Sequence, residues 1–223
     1  LDSGHLMKLE RFGSQSVIRP DPQAFWEPAR PLDSWKADAI FASKSSDDES
    51  GGQWEVLSPR AAEEWPMRWN DLTFTARRTA FRHMGVFQEH SVHWRFAQDQ
   101  IRAAKRPVKV LNLFGYTGMM SLACAAAGAE VTHLDASPKS NGYGFEEDLP
   151  PLLDNIRELL SDTPLFVIAT AYAVRLSYLA LSQTLADRLS PLGGVMEQGE
   201  MALPQQGSDR LLPTALYARW RAA

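Results

Sequence analysis

Three features that would each point to a particular class of protein are scarce in this sequence. It holds one cysteine in 223 residues, which excludes an intramolecular disulfide framework and fits a reducing compartment. No uncharged stretch reaches the roughly 18 residues that a membrane-spanning helix requires. The first residues, Leu1 to His5, lack the basic and apolar runs of a signal peptide. We therefore expect a cytoplasmic protein with no membrane partner.

The chain also lacks an excess of positive charge. Its net charge of −4 at pH 7 contrasts with the basic excess that nucleic-acid-binding domains use to contact phosphates. Composition alone thus argues slightly against an RNA partner, although local basic runs exist. What is present is the usual globular proportion of apolar and charged residues, 44% and 22%. A chain of this length can form one sizeable core and a smaller module.

Residues 1–76 are rich in turns, prolines and tryptophans. Strands are expected at 53–57 and over 67–76, where the chain folds into a hairpin about Asn70-Asp71. The polar segment 42–53 predicts an exposed surface loop. We interpret 1–76 as a small β-rich N-terminal module and place the predicted domain boundary after residue 76.

Residues 77–223 alternate between helical and strand patterns, which is typical of an α/β domain with a mostly parallel sheet. A helix that begins at an Asp148 cap would hold two prolines in its first turn. The predicted elements, in chain order, are a helix over 88–105, a strand at 108–114, a helix at 119–127, a strand at 130–135, the helix after 148, a strand at 165–171, a helix at 178–189, and strands at 195–203 and 211–220.

A Gly-x-x-Gly turn, Gly115 to Gly118, leaves the first of these strands and opens the next helix. Such a turn brings main-chain N–H groups close to a ligand's polar end, and glycine avoids a Cβ collision or a forbidden φ. Asp135 ends the following strand, where an acid accepts hydrogen bonds from ribose hydroxyls in nucleotide-binding folds. This order favours a cofactor site over a structural turn. A dinucleotide site is the next alternative, but the third glycine of its motif is absent.

The segment Leu111 to Gly118, Leu-Asn-Leu-Phe-Gly-Tyr-Thr-Gly, resembles the cofactor motif of class I S-adenosylmethionine-dependent methyltransferases grouped with bacterial 23S ribosomal RNA cytosine-C5 and guanine-N7 enzymes. Asp135-Ala136-Ser137 is similar to that family's second-strand acid, and Gly85 to Glu89 resembles a segment that covers the cofactor. The resemblance implies a Rossmann-like sheet with an antiparallel last strand, S-adenosylmethionine as cofactor and ribosomal RNA as partner. The residues that it implies for cofactor binding are Phe114, Gly115, Tyr116, Thr117, Gly118, Asp135, Ala136, Ser137, Arg82, Phe87 and Glu89.

The resemblance also implies parts that this chain lacks. The family has seven strands, whereas five are predicted after residue 107, and its Asp-Pro-Pro-Lys catalytic loop does not occur here. Ser137-Pro138 is a good helix start, yet Asn141 to Gly144 ends any helix after one turn. We therefore expect that distant segments are joined near 139–142 and that a stretch is missing there. A true truncation is the alternative, and it would expose buried sheet edges.

Other chemical groups favour structural interpretations. Leu149-Pro150-Pro151 lies in a predicted helix first turn, so it is not the missing catalytic loop, and the catalytic residues stay unknown. Cys124 in an alanine-rich helix is expected to be a buried thiol. His83, His90 and His93 lack further ligands, so no metal site is expected. Tyr172, at a strand end, could stack on a base or lie at the rim of the core.

The preferred function is transfer of a methyl group to a nucleophilic atom held in line with the cofactor. A base of ribosomal RNA is the acceptor that the resemblance implies, and such a base has to be unpaired or flipped out. Two alternatives stay open. One is a methyltransferase of a protein or small molecule, and the other is a cofactor-binding module without catalysis.

Overall fold

The computed structural model describes residues 2–43, 52–135, 145–172 and 176–223, and for Phe145 and Glu146 it describes the backbone only. The chain forms two compact units. The first comprises Leu1–Gln88 and Ala202–Pro213, and the second comprises Glu89–Met201 and Thr214–Ala223. The first unit extends beyond the predicted boundary at residue 76. Residues after 76 are hydrogen-bonded to this unit: the Trp54 indole N–H donates to the Thr79 carbonyl at 2.8 Å.

A five-stranded sheet forms most of the first unit, with its strands in sequence order. The strands are antiparallel except for one parallel pair between the third and the fourth. A separate hairpin follows, and its turn at Asn70 is where the sequence predicts it. The strands are β1 (Asp2–Gly4), β2 (Met7–Phe12), β3 (Gln15–Pro20), β4 (Ala39–Ser43), β5 (Gly52–Val56), β6 (Glu64–Trp69) and β7 (Leu72–Arg77).

Charged side chains lie inside this unit beside its apolar core. Glu10 is 7% exposed and accepts hydrogen bonds from Arg19 at 2.6 and 2.8 Å. Lys8 lies 3.1 Å from Asp21 and 3.7 Å from Glu10. Because each buried charge has an opposite partner, the strands can carry these residues without unpaired buried ions.

The second unit alternates helices and strands. Its elements are α1 (Ser91–Ala104), β8 (Lys109–Leu113), α2 (Met119–Ala126), β9 (Glu130–Leu134), α3 (Phe145–Leu159), β10 (Phe166–Tyr172), α4 (Tyr178–Leu189) and most of β11 (Val195–Pro204) and β12 (Leu211–Arg221), whose facing ends, 202–204 and 211–213, belong to the first unit. Strands β8 and β9 form a parallel pair, and β10, β12 and β11 form a second sheet in that order. The chain is therefore an α/β protein. The last strand pairs antiparallel with β10, from Phe166–Arg221 to Tyr172–Ala215.

Two predictions about this unit need correction. A single, mostly parallel sheet was expected, but within the described ranges the strands form small separate sheets, because β8 and β9 pair only with each other. Helix α3 begins at Phe145, so Asp148 is not its N-cap and Pro150 and Pro151 lie inside the helix. A proline has no N–H group, so the carbonyl four residues before it in the helix loses its hydrogen-bond donor. The prolines lie near the helix start, where a carbonyl such as that of the exposed Glu147 can accept from water instead.

None of the helices in the described part of the chain is both long and apolar enough to cross a membrane.

Candidate functional site

The predicted Gly-x-x-Gly turn lies between β8 and α2 and rests on a small apolar core. Val108, just before β8, packs with Ala97 and Ile101 of α1 and with Cys124 of α2. Cys124 is fully buried, and burial raises the pKa of its thiol to about 11, so it is a protonated packing residue. The prediction of a buried thiol is confirmed. The core fixes the positions of the strand and the helix that the turn joins.

The turn, residues 114–118, has an unusual backbone. Phe114 and Tyr116 have φ angles of 53° and 50°, a left-handed conformation that costs a non-glycine residue about 1–2 kcal/mol. Gly118 has a φ of 87° and is the N-cap of α2. Gly115 lies between the two strained residues and has no left-handed φ. Strain of this kind persists only where the surroundings hold the backbone in place.

The last residues of β9 and the residue after it supply that support. The Leu134 carbonyl accepts from the Gly115 N–H at 3.1 Å. The Asp135 carboxylate accepts from the Tyr116 N–H at 2.9 Å. Within the turn, the Gly118 N–H donates to the Gly115 carbonyl at 2.9 Å. The structure therefore brings the predicted turn and the predicted acid together.

A polar network lies against the turn on its β9 side. The Asn112 amide donates to the Ser121 hydroxyl at 2.9 Å, and that hydroxyl is 2.9 Å from Nδ1 of His133. A Cβ added at Gly115 would lie 2.5 Å from this Nδ1 and 2.7 Å from the Asn112 amide nitrogen. A larger residue at 115 would thus have to displace protein side chains, whereas the sequence suggested a close ligand or a special φ as the reason for glycine.

The groups around the turn fit a nucleoside ligand with a charged amino-acid end. Oδ2 of Asp135 accepts no hydrogen bond from a described residue and can accept from a ribose hydroxyl. The first N–H groups of α2 have no partner within the helix, as at every helix start. Phe114 and Tyr116 are 49% and 39% exposed, so their rings are accessible to a flat ligand.

The other predicted cofactor residues are described separately. Arg82 is buried in the first unit, and its carbonyl accepts from Arg19 at 2.8 Å. Phe87, also in that unit, is half-buried with its ring 5.1 Å from the His83 ring. Glu89 lies in a short 3-10 helix, Gln88–His90, at the start of the second unit. Ala136 and Ser137 lie outside the described residues, as does the predicted join near 139–142.

The three histidines near this segment are held neutral. Burial lowers the pKa of His90 to about 4 and that of His93 to about 3. For His83, burial and then the neighbouring cations, Arg19 first, lower the pKa to about 4. Over the described ranges, no group of three or more metal-ligating side chains is found.

Sequence reasoning missed the network of Asn112, Ser121 and His133. A sequence signal for two of these residues does exist. Asn112 and His133 lie two positions after Val110 and Val131, so they share the face of the strands that packs on the helices. A polar residue at a position that strand periodicity assigns to the core needs a partner.

No protein-family model and no curated protein matches the sequence. Solved structures do. An S-adenosylmethionine-dependent methyltransferase from Agrobacterium tumefaciens is 34% identical, with a TM-score of 0.88 over 100% of this chain and 89% of its own. A Streptococcus mutans protein assigned as an S-adenosylmethionine-dependent methyltransferase is 12% identical, with a TM-score of 0.62 over 96% and 71% of the two chains. A further protein assigned as a methyltransferase, solved with S-adenosylhomocysteine, is 11% identical, with a TM-score of 0.59 over the same shares. The last two similarities concern the fold alone.

Proposed function

Because this chain belongs to the S-adenosylmethionine-dependent methyltransferases and is an enzyme that uses this cofactor, we propose that residues 114–118 and Asp135 form its cofactor site. The main-chain N–H groups at the start of α2 would bind the carboxylate of the cofactor's amino-acid end. Asp135 would accept from the ribose hydroxyls. Arg82, Phe87, Glu89, Ala136 and Ser137 are proposed as further cofactor residues on the resemblance of their sequence segments alone.

One observation carries this assignment. Asp135 uses one carboxylate oxygen to hold the Tyr116 N–H at 2.9 Å, which leaves the other oxygen for a ligand. The same side chain thereby sets the shape of the turn and presents an acceptor beside it. The first of these roles is structural, and the second supports the proposal that a ligand binds beside the turn.

The cofactor brings a methyl group already activated by its sulfonium, so the protein's contribution is mainly to position it. The 114–118 turn would hold one end and Asp135 the middle, which fixes the direction in which the methyl group points. The exposed rings of Phe114 and Tyr116 would exclude water from the bound nucleoside. The groups that orient the acceptor belong to the family's Asp-Pro-Pro-Lys loop, a sequence that this chain does not contain.

Titration with S-adenosylhomocysteine in a calorimeter tests the site. Asp135→Asn keeps an oxygen that can accept from Tyr116 but removes the charge, so we expect the Kd to rise roughly tenfold. Asp135→Ala removes both roles and should raise the Kd by about a hundredfold. Glu130→Gln, at the other end of β9 with its side chain 73% exposed, is the matched control. Equal affinity in all four proteins would refute the proposed site.

We further propose that the methyl acceptor is a base of ribosomal RNA. The motif from Leu111 to Gly118 supports this through its resemblance to ribosomal RNA enzymes, and the net charge of −4 weakens it. A methyltransferase of proteins or small molecules is the alternative. Tritiated S-adenosylmethionine offered with undermethylated ribosomal RNA, transfer RNA or a protein extract distinguishes them, because label in ribosomal RNA alone is expected.

The proposal extends to the architecture and location of the enzyme. The small sheets of the second unit would be parts of one class I methyltransferase sheet with an antiparallel last strand, and residues 1–76 a β-rich module. The segment expected near 139–142 would supply the two absent strands. The single cysteine supports a cytoplasmic location.

A further inference from the structure

We propose that His133 is a positioning residue for the cofactor, acting through the backbone of Gly115. The inference rests on the proposed use of residues 114–118 as the cofactor turn. The His133 ring occupies the space into which a Cβ at residue 115 would project, so the ring and the glycine fit against each other. It also approaches the far end of the turn, because a Cβ at Gly118 would lie 3.6 Å from its Cε1.

The ring keeps this place because it is bonded on its Nδ1 side. The Asn112 amide donates to the Ser121 hydroxyl, that hydroxyl shares a hydrogen bond with Nδ1 of His133, and both distances are 2.9 Å. The network thus joins β8, α2 and β9, which are the three elements around the turn.

The strain of the turn explains why such a support is needed. Phe114 and Tyr116 both have left-handed φ angles, and each would relax if the backbone between them could move. Gly115 donates its N–H to the Leu134 carbonyl, and the His133 ring lies where a side chain at 115 would project. Three consecutive residues, His133 to Asp135, therefore contact the turn, and His133 does so through shape rather than through a hydrogen bond to it.

The exposure of His133 separates this role from ordinary packing. The side chain is exposed, so it buries little apolar surface and contributes little to the stability of the unit. Removing the ring should disturb the turn and the cofactor affinity far more than it disturbs folding. Removing a residue with a purely structural role would instead destabilise folding more than it weakens cofactor binding.

Binding of S-adenosylhomocysteine to variants of the full chain tests the proposal. For His133→Ala we expect a Kd about tenfold higher and a Tm within about 2 °C of the wild type. His133→Asn, whose amide can replace Nδ1 as the hydrogen-bond partner of Ser121 in either direction, should restore the Kd to within about threefold. Thr132→Ala, its exposed neighbour in β9, is the control and should bind normally. Unchanged affinity in His133→Ala, or no recovery in His133→Asn, overturns the proposal.

A double-mutant cycle decides the steric part without any ligand. Gly115→Ala should lower the Tm of the wild type by about 5 °C because of the collision with His133. In the His133→Ala background the same substitution should cost less than half as much, since the Asn112 amide can then swing away. Equal losses in both backgrounds overturn the proposal. If the wild type binds no S-adenosylhomocysteine, the proposed function fails, and this cycle still tests the fit of His133 to Gly115.

Discussion

At the scale of single residues, the first unit depends on charges that its interior holds in pairs. Burial would raise the pKa of the Glu10 carboxyl, but the charges of Arg19 and Lys8 outweigh burial and hold it below its usual value. Glu10 is therefore ionised at neutral pH and neutralises a guanidinium that is itself 7% exposed. The pair stabilises the fold mainly because either partner alone would be a buried, uncompensated charge.

Replacing this carboxylate should be costly. We expect Glu10→Gln to lower the free energy of unfolding by about 3 kcal/mol, because Arg19 then stays buried without an anion. Urea denaturation at pH 7 measures the loss. The matched control is Glu64→Gln in the exposed pair with Arg77, which should cost less than about 1 kcal/mol. Similar losses in both variants would contradict the assigned importance of burial.

His93 should make the protein sensitive to mild acid. It is 1% exposed, neither ring nitrogen has a hydrogen-bond partner within the described structure, and its folded pKa is about 3. Because this value lies below the 6.5 of an unfolded histidine, the unfolded state binds the proton first. Stability is therefore lost as the pH falls from about 6.5 towards 3, by about 2 kcal/mol at pH 5 from this residue alone.

The measurement is urea denaturation at pH 7 and pH 5 for the wild type and for His93→Phe. Phenylalanine keeps an aromatic ring against Tyr217, whose ring centroid lies 5.1 Å away, and cannot titrate. The variant should lose about 2 kcal/mol less than the wild type between the two pH values. His5→Asn, at an exposed turn position, should lose as much as the wild type. An acid response that is unchanged in His93→Phe would rule out this source.

Residue by residue, the sequence predicted the turn and the acid that is bonded to it better than the side chains packed behind them. The turn and Asp135 could be predicted because glycine spacing and a strand-end acid follow from main-chain geometry. His133 could not, because its role depends on the ring lying beside Gly115, a contact across 18 positions that no local pattern encodes. The cofactor roles of Arg82 and Phe87 stay predictions, because they too depend on contacts that no local sequence pattern encodes.

At the scale of elements, the β6–β7 hairpin is held by a two-residue turn that its sequence fits only in part. Trp69 pairs with Leu72, and of the two residues between them Asn70 has a positive φ of 51°. A positive φ at the first central position is the pattern in which glycine is most favourable. Both turn residues are exposed, so a substitution here changes the conformational preference of the backbone without changing the packing of side chains.

We expect Asn70→Gly to raise the Tm by a few degrees, equivalent to about 0.5 kcal/mol, because glycine adopts this φ without steric cost. Differential scanning calorimetry measures the shift. Asp71→Gly is the control, since its φ is not positive and glycine there only adds freedom to the unfolded chain. That control should lower the Tm. A higher Tm in Asp71→Gly than in Asn70→Gly would show that the turn has another geometry.

Elements with regular patterns were predictable, and those with buried charges were not. Helix α4 and strands β8 to β12 follow clear apolar periodicities and lie within a few residues of their predicted positions. Strands β2 and β3 escaped prediction because Glu10 and Arg19 occupy buried positions, which breaks the alternation of apolar and polar residues. Their mutual ion pair becomes visible only once the strands are paired.

At the scale of the whole molecule, one face of the β8–β9 pair lacks a cover among the described residues. The faces that carry Val110 and Val131 pack on α1 and α2, but on the opposite side Leu111 is 41% exposed and Leu134 is 49% exposed. Parallel sheets are normally covered on both faces, and strands at an edge invite pairing with another chain. Among the described residues, these leucines therefore form an exposed apolar surface beside unpaired strand edges.

The bare face also predicts how this chain behaves in solution. We expect reversible self-association that increases with protein concentration, because burial of the exposed leucines and edge strands between copies is favourable. Sedimentation velocity over a concentration series measures it. Leu111→Lys should weaken the association, since a lysine on that face would be buried without a partner, whereas Leu159→Lys, 69% exposed on α3, should not. A chain that stays monomeric throughout, or the same association in both variants, would contradict the role assigned to the β8–β9 face in self-association.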